Sequence, residues 1–266
     1  MKTIRLLNVD ILSVTQDELL KSYTHGVLVT PNVDHLMKLQ KDKEFYSAYQ
    51  HSEWVVCDSM ILSKAANFIG KHFDEIIRGS SLFPAYYNYH KNNTSEKIFI
   101  LGGKLGIAEI AKNKINEIVG REIIVDTYSP SFGFENNKQE LAYIINKINN
   151  SGACTLAVCL GAPKQEKFIY NYRQDLFKIN KFMALGATVD FEAGTTKRAP
   201  RIFQQTGLEW LYRLCIEPRR LFKRYIIDDL PFFILIIKQK MGSYQNPFRS
   251  KNDFEASTDF YLLNAN

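Results

Sequence analysis

The apolar run Thr155-Leu156-Ala157-Val158-Cys159 leads directly into Leu160-Gly161-Ala162-Pro163-Lys164-Gln165-Glu166. An amphipathic pattern follows from about Phe168. This order predicts a strand, a Gly/Pro turn and a helix. In α/β proteins such turns lie at the carboxyl ends of parallel strands, where ligands bind and where helix N-termini favour anions.

Further apolar runs alternate with helical patterns along the first three quarters of the chain. They cover residues 27–30, 54–57, 97–101, 122–126 and 182–185. Strands that alternate with helices indicate an α/β fold with a parallel sheet and helices on both faces. We therefore expect a Rossmann-like catalytic domain over residues 1–196, with one continuous helical stretch over residues 33–50.

The composition changes after about Thr196. Eight basic and two acidic residues lie between Lys197 and Arg224, so this segment carries the whole formal net charge of +6 of the 266-residue chain. Because aromatic residues stand between the basic ones, the pattern predicts a helical, membrane-proximal appendage over residues 197–242. A solvated helical face and a nucleic-acid-binding surface are the alternatives. Residues 243–266 are expected to form a poorly ordered polar tail.

Four absences narrow the function. The longest apolar run near the C-terminus, residues 232–237, is far shorter than the roughly 20 residues that span a bilayer. Met1 to Val14 has charges among its apolar positions, unlike a secretory signal. The four cysteines lack zinc-site spacing, and no Asp-x-Asp pair is present to hold a diphosphate-bound metal. We expect no metal and no cofactor, and a location that is either cytoplasmic or peripheral on a membrane.

Polar residues at the predicted strand ends are the candidate catalytic groups. Asp58 closes one apolar run, where partial burial would raise the pKa of its carboxyl and suit it to general-base catalysis. Its alternative role is capping a helix. Thr30 and Asn32 flank Pro31 at the preceding strand end, and Asn32 also suits a helix N-cap.

Other strand ends supply candidate binding groups. Gly102 opens a Gly-Gly-Lys turn that lacks the P-loop and dinucleotide-binding patterns, but a helix start there can face a phosphate. Gln165 can bond a sugar hydroxyl, although Gln165 and Glu166 also suit first-turn capping of a helix. Asp190 is a further strand-end carboxylate. Diphosphate charge would be neutralised by basic side chains of the appendage: Arg213, Arg219, Arg220, Lys223 and Arg224.

Taken together, these segments resemble the WecB/TagA/CpsF family of bacterial glycosyltransferases (glycosyltransferase family 26), from about Asn8 to Ile237. The resemblance rests on Thr30-Pro31-Asn32, Asp58, Gly161-Ala162-Pro163-Lys164-Gln165-Glu166, Leu185-Gly186-Ala187, Asp190-Phe191, Gly207-Leu208-Glu209-Trp210-Leu211-Tyr212-Arg213-Leu214, Glu217-Pro218 and Arg220.

The resemblance implies transfer of a sugar, typically N-acetylmannosamine or its uronic acid, from a UDP donor to a polyprenyl-diphosphate-linked acceptor. It implies an inverting, metal-independent reaction with Asp58 as general base. Thr30, Asn32 and Gln165 would line the pocket, and Arg213 and Arg220 would face the diphosphate and the bilayer.

The chain departs from the family pattern at three positions. Ser59 stands where the family often has glycine, Ser81 where it often has aspartate, and Lys223 where arginine is common. The change at Ser81 leaves a different hexose donor open. Homo-oligomer formation and a catalytically inactive sugar-nucleotide-binding protein also stay open, whereas nucleic acid is not an expected partner because it does not explain Asp58 and the polar strand ends.

Overall fold

A computed structural model describes residues 1–196, 200, 203, 209–216 and 218–248. Its strands, in chain order, are β1 (Lys2–Leu6), β2 (Val9–Ser13), β3 (Gly26–Val29), β4 (Trp54–Val55), β5 (Ile98–Gly102), β6 (Ile124–Tyr128), β7 (Thr155–Cys159) and β8 (Lys181–Ala184). The last six form a parallel sheet in the order β4-β3-β8-β7-β5-β6. The predicted α/β class is confirmed.

Helices cover both faces of this sheet. They are α1 (Gln16–Ser22), α2 (Val33–Lys38), α3 (Lys43–Gln50), α4 (Met60–Phe68), α5 (Gly79–Tyr89), α6 (Ile107–Val119), α7 (Lys138–Asn150), α8 (Lys164–Tyr172) and α9 (Thr188–Glu192). The C-terminal part contains helices Glu209–Ile216 and Pro218–Phe222, a π-helical segment Lys223–Asp228 and a C-terminal helix, Pro231–Lys240.

The core consists of two layers, because successive strand residues point to opposite faces. In β7, Leu156 and Val158 join the layer that contains α2, α3, α7 and α8, whereas Ala157 and Cys159 join the layer that contains α1, α5, α6 and α9. Strands buried on both faces appear in a sequence as continuous apolar runs. This burial explains why the sheet strands could be recognised from sequence.

Two local features differ from the sequence-based expectations. Strands β1 and β2 form an antiparallel hairpin that the sequence analysis did not identify, with Leu6 and Ile11 buried and Arg5 and Asp10 exposed and ion-paired. The helical stretch expected over residues 33–50 is two helices. It is broken before α3, where Asp42 caps the new helix by accepting a hydrogen bond from the Phe45 N–H at 3.0 Å.

A crevice opens where β3 and β8 lie side by side. The chain leaves β3 into α2 on one face of the sheet and leaves β8 into α9 on the other face. Adjacent strands whose outgoing connections diverge in this way create a topological switch point, the usual ligand site of open α/β sheets.

The C-terminal helix packs into the same core as the sheet. Phe232 and Ile236 are buried among residues of α2 and the hairpin. The Gln239 amide accepts a hydrogen bond from Leu7 N–H at 2.8 Å and donates one to the Arg5 carbonyl at 2.9 Å. The boundaries of the expected appendage, residues 197–242, stay a prediction.

The described part of the expected tail, residues 243–248, has neither helix nor strand but does make contacts. The Tyr244 hydroxyl donates to Gln40 at 2.7 Å, and the ring of Phe248 lies 5.3 Å from that of Tyr46. Residues 249–266 lie outside the described residues. Across the described ranges, the helices are too short or too polar for any of them to cross a bilayer.

Candidate active site

The crevice is the centre of a cleft of about 1110 Å³. The cleft brings together six of the residues predicted from sequence: Thr30, Asn32, Asp58, Gly161, Gln165 and Arg224. Pockets for one small molecule usually enclose about 300–1,000 Å³. The cleft therefore has room for more than one small molecule.

Thr30 and Asp58 lie at the ends of neighbouring strands. Backbone hydrogen bonds continue past the strands, from Val56 N–H to the Val29 carbonyl at 3.1 Å and from Asp58 N–H to the Pro31 carbonyl at 3.4 Å. The N-cap of α4 is Ser59, whose hydroxyl accepts from Ile61 N–H at 3.2 Å, rather than Asp58. The Asp58 carboxylate thus lines the cleft without serving as the cap of that helix.

Asn32 combines both roles that the sequence left open. Its side-chain oxygen accepts from His35 N–H at 3.2 Å, so it is the N-cap of α2. The same residue lines the cleft, and its oxygen lies 3.5 Å from an Arg224 guanidinium nitrogen. The cap therefore fixes the position of a polar group at the site.

Gln165 joins the turns after β7 and β8. Its side-chain oxygen accepts from Gly186 N–H at 2.9 Å, and its amide nitrogen donates to Glu166 at 2.8 Å. Gln165 and Glu166 are both almost completely buried. Burial raises the pKa of Glu166 to about 7, and its second carboxyl oxygen has no hydrogen-bond partner among the described residues.

Several helices begin at the cleft, each with its N-terminal residues in the lining. These residues are Asn32 before α2, Ser59 before α4, Arg78, Gly79 and Ser80 at α5, Gly161 and Ala162 before α8, and Ala187 and Thr188 at α9. Helix N-termini carry partial positive charge and exposed N–H groups, so the cleft floor favours an anion such as a diphosphate.

The start of α5 contains none of the predicted catalytic or binding residues, although the family resemblance had linked Ser81 in its first turn to the identity of the donor sugar. A Cβ added to Gly79 would lie 3.4 Å from the Thr30 hydroxyl and 3.8 Å from the Thr188 hydroxyl. Because no strand precedes this helix, the strand-end pattern gave no indication of Arg78 or Ser80.

Charged groups meet at the side of the cleft nearest α2. The nearly buried Asp34 carboxylate lies 2.7 Å from the Lys38 ammonium and 3.3 Å from the Arg224 guanidinium. Asp229 lies in the same lining, and burial, together with the charge of Asp34, raises its pKa to about 6. Arg224 thus extends from the C-terminal part of the chain into the cleft and reaches Asn32 and Asp34.

Five predicted binding residues with described side chains do not line the cleft: Gly102, Glu166, Asp190, Arg219 and Lys223. Gly102 is needed for packing, because a Cβ there would lie 2.3 Å from the Cys159 carbonyl oxygen. Asp190 lies in the first turn of α9, where burial raises its pKa. Lys223 is exposed. The side chains of Arg213 and Arg220 lie outside the described residues.

Within the described ranges, no three His, Cys, Asp or Glu side chains are arranged to hold a metal ion. Cys57 and Cys159 are buried free thiols, and burial raises the pKa of each to about 12. Neither thiol is suited to nucleophilic catalysis, because the reactive form is the thiolate.

A sequence profile described as the glycosyl transferase WecG/TagA/CpsF family matches residues 4–246. The chain belongs to this family. A curated relative, the N-acetylglucosaminyldiphosphoundecaprenol N-acetyl-beta-D-mannosaminyltransferase of Bacillus subtilis (strain 168), is 27% identical over 226 residues, which is 84% of each chain. The resemblance based on sequence motifs is confirmed, and the protein is a glycosyltransferase by family.

The raised pKa of Glu166 predicts how stability depends on pH. Between the ordinary value of 4.5 and the folded value of about 7, the unfolded chain loses the proton and the folded chain keeps it. Stability therefore falls as the pH rises, by up to about 3 kcal/mol. Glu166→Gln should remove this dependence. When urea unfolding is measured at pH 4 and at pH 8, the stability of the variant relative to wild type should be higher at pH 8 than at pH 4.

The control is Glu135→Gln. The Lys164 ammonium lowers the pKa of Glu135, so this carboxylate contributes stability above its ordinary pKa and loses it at acid pH. The Glu135 variant should therefore lose stability relative to wild type as the pH rises. If the Glu166 variant also lost stability relative to wild type as the pH rises, the raised pKa of Glu166 would be contradicted.

Proposed function

We propose that the protein is an inverting, metal-independent glycosyltransferase that uses a UDP-sugar. The donor sugar is of the N-acetylmannosamine type or another hexose. The acceptor is a polyprenyl-diphosphate-linked sugar, as used in cell-surface polysaccharide or teichoic-acid synthesis. The observation that carries this proposal is the placement of Asp58 among helix N-termini and Arg224, in a chain of this family. The name of the Bacillus subtilis relative supports the acceptor class and the sugar.

The reaction is a single displacement. The Asp58 carboxylate takes the proton from an acceptor hydroxyl, and the hydroxyl oxygen attacks the anomeric carbon of the donor. The bond from that carbon to the UDP oxygen breaks, and UDP leaves with the electron pair. A positioned general base contributes roughly 10²–10⁴-fold to such a step. Thr30, beside Asp58 at the neighbouring strand end, is the second proposed catalytic residue.

Charge on the departing UDP needs stabilisation without a metal ion. The start of α5 and the guanidinium of Arg224 are in the cleft to supply it. Arg213, Arg220 and Lys223 are proposed to add charge from the appendage. Asn32 and Gln165 are proposed to orient the sugars, because both residues are in the cleft lining.

An anionic membrane surface is the proposed location of the reaction, on the cytoplasmic side. Phe222 and Ile227 are exposed apolar residues, and Arg219 and Lys223 are exposed basic residues, all within ten positions of one another. A basic residue near an anionic surface contributes about 1 kcal/mol. Because only a few such contacts are made, the protein would bind the membrane surface peripherally and reversibly.

The base assignment predicts the effect of Asp58→Asn. The amide cannot accept the acceptor proton, so kcat should fall by roughly 10²–10⁴-fold. UDP binding, measured by calorimetry, should persist because the helix N-termini and Arg224 remain. Asp175→Asn is the control. Asp175 lies in the exposed turn between α8 and the start of β8, at the opposite end of the strands from the cleft. Turnover of the Asp58 variant near that of the control would remove Asp58 from the base role.

Inversion and metal independence predict two outcomes of one assay. An α-linked UDP-sugar should give a β-linked product, read from the anomeric coupling in the NMR spectrum. The rate in excess EDTA should equal the rate in Mg²⁺. An α-linked product would rule out the single displacement, and loss of turnover in EDTA would rule out metal independence.

Membrane binding predicts that Phe222→Ser combined with Ile227→Ser lowers recovery with floated anionic vesicles. Added salt should lower wild-type recovery as well, because it screens the basic residues. Phe177→Ser is the matched control. This phenylalanine is 74% exposed and lies between α8 and the start of β8, at the opposite end of the strands from the cleft. Equal recovery of both variants would contradict the proposed surface. Truncation is unsuitable, because Phe232 and Ile236 belong to the core.

A further inference from the structure

One side of the cleft is apolar and is formed by two helices. We call it the apolar trough and define it by Met60, Ile61, Ala65 and Phe68 of α4 and by Leu230, Phe233, Ile236 and Ile237 at the C-terminal helix. The mechanism proposed above uses none of these residues. Their spacing is helical on each side, with Ile61, Ala65 and Phe68 on one face and Leu230, Phe233 and Ile237 on the other helix.

The trough has a direction. Both helices begin at the polar floor, because α4 follows Asp58 directly and the C-terminal helix follows Asp229. They come together again at their far ends, where the Lys240 ammonium lies 4.0 Å from the centre of the Phe68 ring. The apolar surface therefore runs from the catalytic floor to the Phe68–Lys240 contact.

Four of the eight trough residues are unusually exposed for large apolar side chains that face a cleft. Phe68, Leu230, Phe233 and Ile237 are each 48–56% exposed. An apolar surface of this kind, continuous with a polar pocket, marks a site for a ligand with an apolar part.

We propose that the apolar trough binds the first part of the polyprenyl chain of the acceptor. This inference rests on the proposed function. The chain is bonded to the acceptor diphosphate, which is separated from the attacking hydroxyl at Asp58 by a single sugar ring. The chain must therefore begin near the cleft floor, where the trough also begins. From Leu230 to Ile237 the helix rises about 10 Å, which corresponds to about two isoprene units.

The same surface fits a uracil ring less well. A uracil ring presents amide and carbonyl groups that need hydrogen-bond partners when buried. The trough side chains named above are hydrocarbon or thioether groups with none to offer. A prenyl chain, in contrast, gains free energy in proportion to the apolar area that it buries.

The test uses soluble acceptors with one headgroup, a diphosphate-linked N-acetylglucosamine, and a methyl, one-, two- or three-unit prenyl chain. In wild type, the acceptor KM should fall by at least about tenfold between the methyl and two-unit compounds and then level off. The kcat should change little, because the chain is remote from the reacting atoms. Equilibrium binding of prenyl diphosphates of the same lengths, without sugar transfer, should show the same trend.

Phe68→Ser and Ile237→Ser should each flatten this dependence while leaving the KM for the UDP donor and the kinetics with the methyl acceptor unchanged. Ile234→Ser is the matched control, because Ile234 is 57% exposed on the same helix but does not line the cleft. It should keep the wild-type dependence. Thermal melts check that each variant is folded.

Several outcomes would overturn the proposal. Chain-length dependence that survives in both trough variants would place the chain elsewhere. An equal loss in Ile234→Ser would indicate a general surface effect, and a raised donor KM in the trough variants would indicate the nucleoside as occupant. Failure to transfer sugar to any acceptor would count against the proposed function alone, because prenyl diphosphate binding tests the trough independently.

Discussion

The site depends on one constraint of chain path: β3 and β8 are neighbours in the sheet, but the chain leaves them toward opposite faces. Helices α2 and α9 therefore cannot cover the ends of their own strands, and a crevice stays open between them. Gln165 links the turn after β7 to the turn after β8 by accepting a hydrogen bond from Gly186 N–H, which fixes the β8 side of the crevice. The other cleft residues follow from the positions of these strand ends.

Three charged groups of the cleft are paired with one another. Asp34 forms ion pairs with both Lys38 and Arg224, so the guanidinium has a defined place beside Asn32. Asp34 is nearly buried, but Lys38 and Arg224 are 36% and 32% exposed, so these ion pairs add little net stability. Their value is positional, because a donor group held in place needs no reorganisation when charge develops on the leaving diphosphate. An arriving diphosphate would compete with Asp34 for the same cations.

Sequence predicted the sheet because its strands are buried on both faces and read as apolar runs. It missed the β1–β2 hairpin, in which buried residues alternate with Lys2, Arg5 and Asp10. The strand-end rule identifies one end of the strands but does not identify which strands border the crevice. Thr30 and Asp58 follow β3 and β4 and lie in the cleft, whereas Gly102 ends β5, two strands away from β8, and Asp190 lies within α9 but outside the lining. The strand-end rule gave no indication of the start of α5, where only the family resemblance drew attention to Ser81; this helix start joins the site through tertiary packing.

The apolar run of the C-terminal helix shows why composition alone gives an incomplete account. Its residues 232–237 are apolar on every side, which for a soluble helix is unusual unless each side meets an apolar partner. The structure divides them: Phe232 and Ile236 contact the core, Phe233 and Ile237 line the cleft, and Ile234 faces outward. The same helix therefore stabilises the fold and forms a wall of the site. A substitution that displaces this helix from the core would therefore destabilise the fold and change the shape of the cleft. The burial of Phe232 in the core thus also positions the apolar trough proposed for the acceptor.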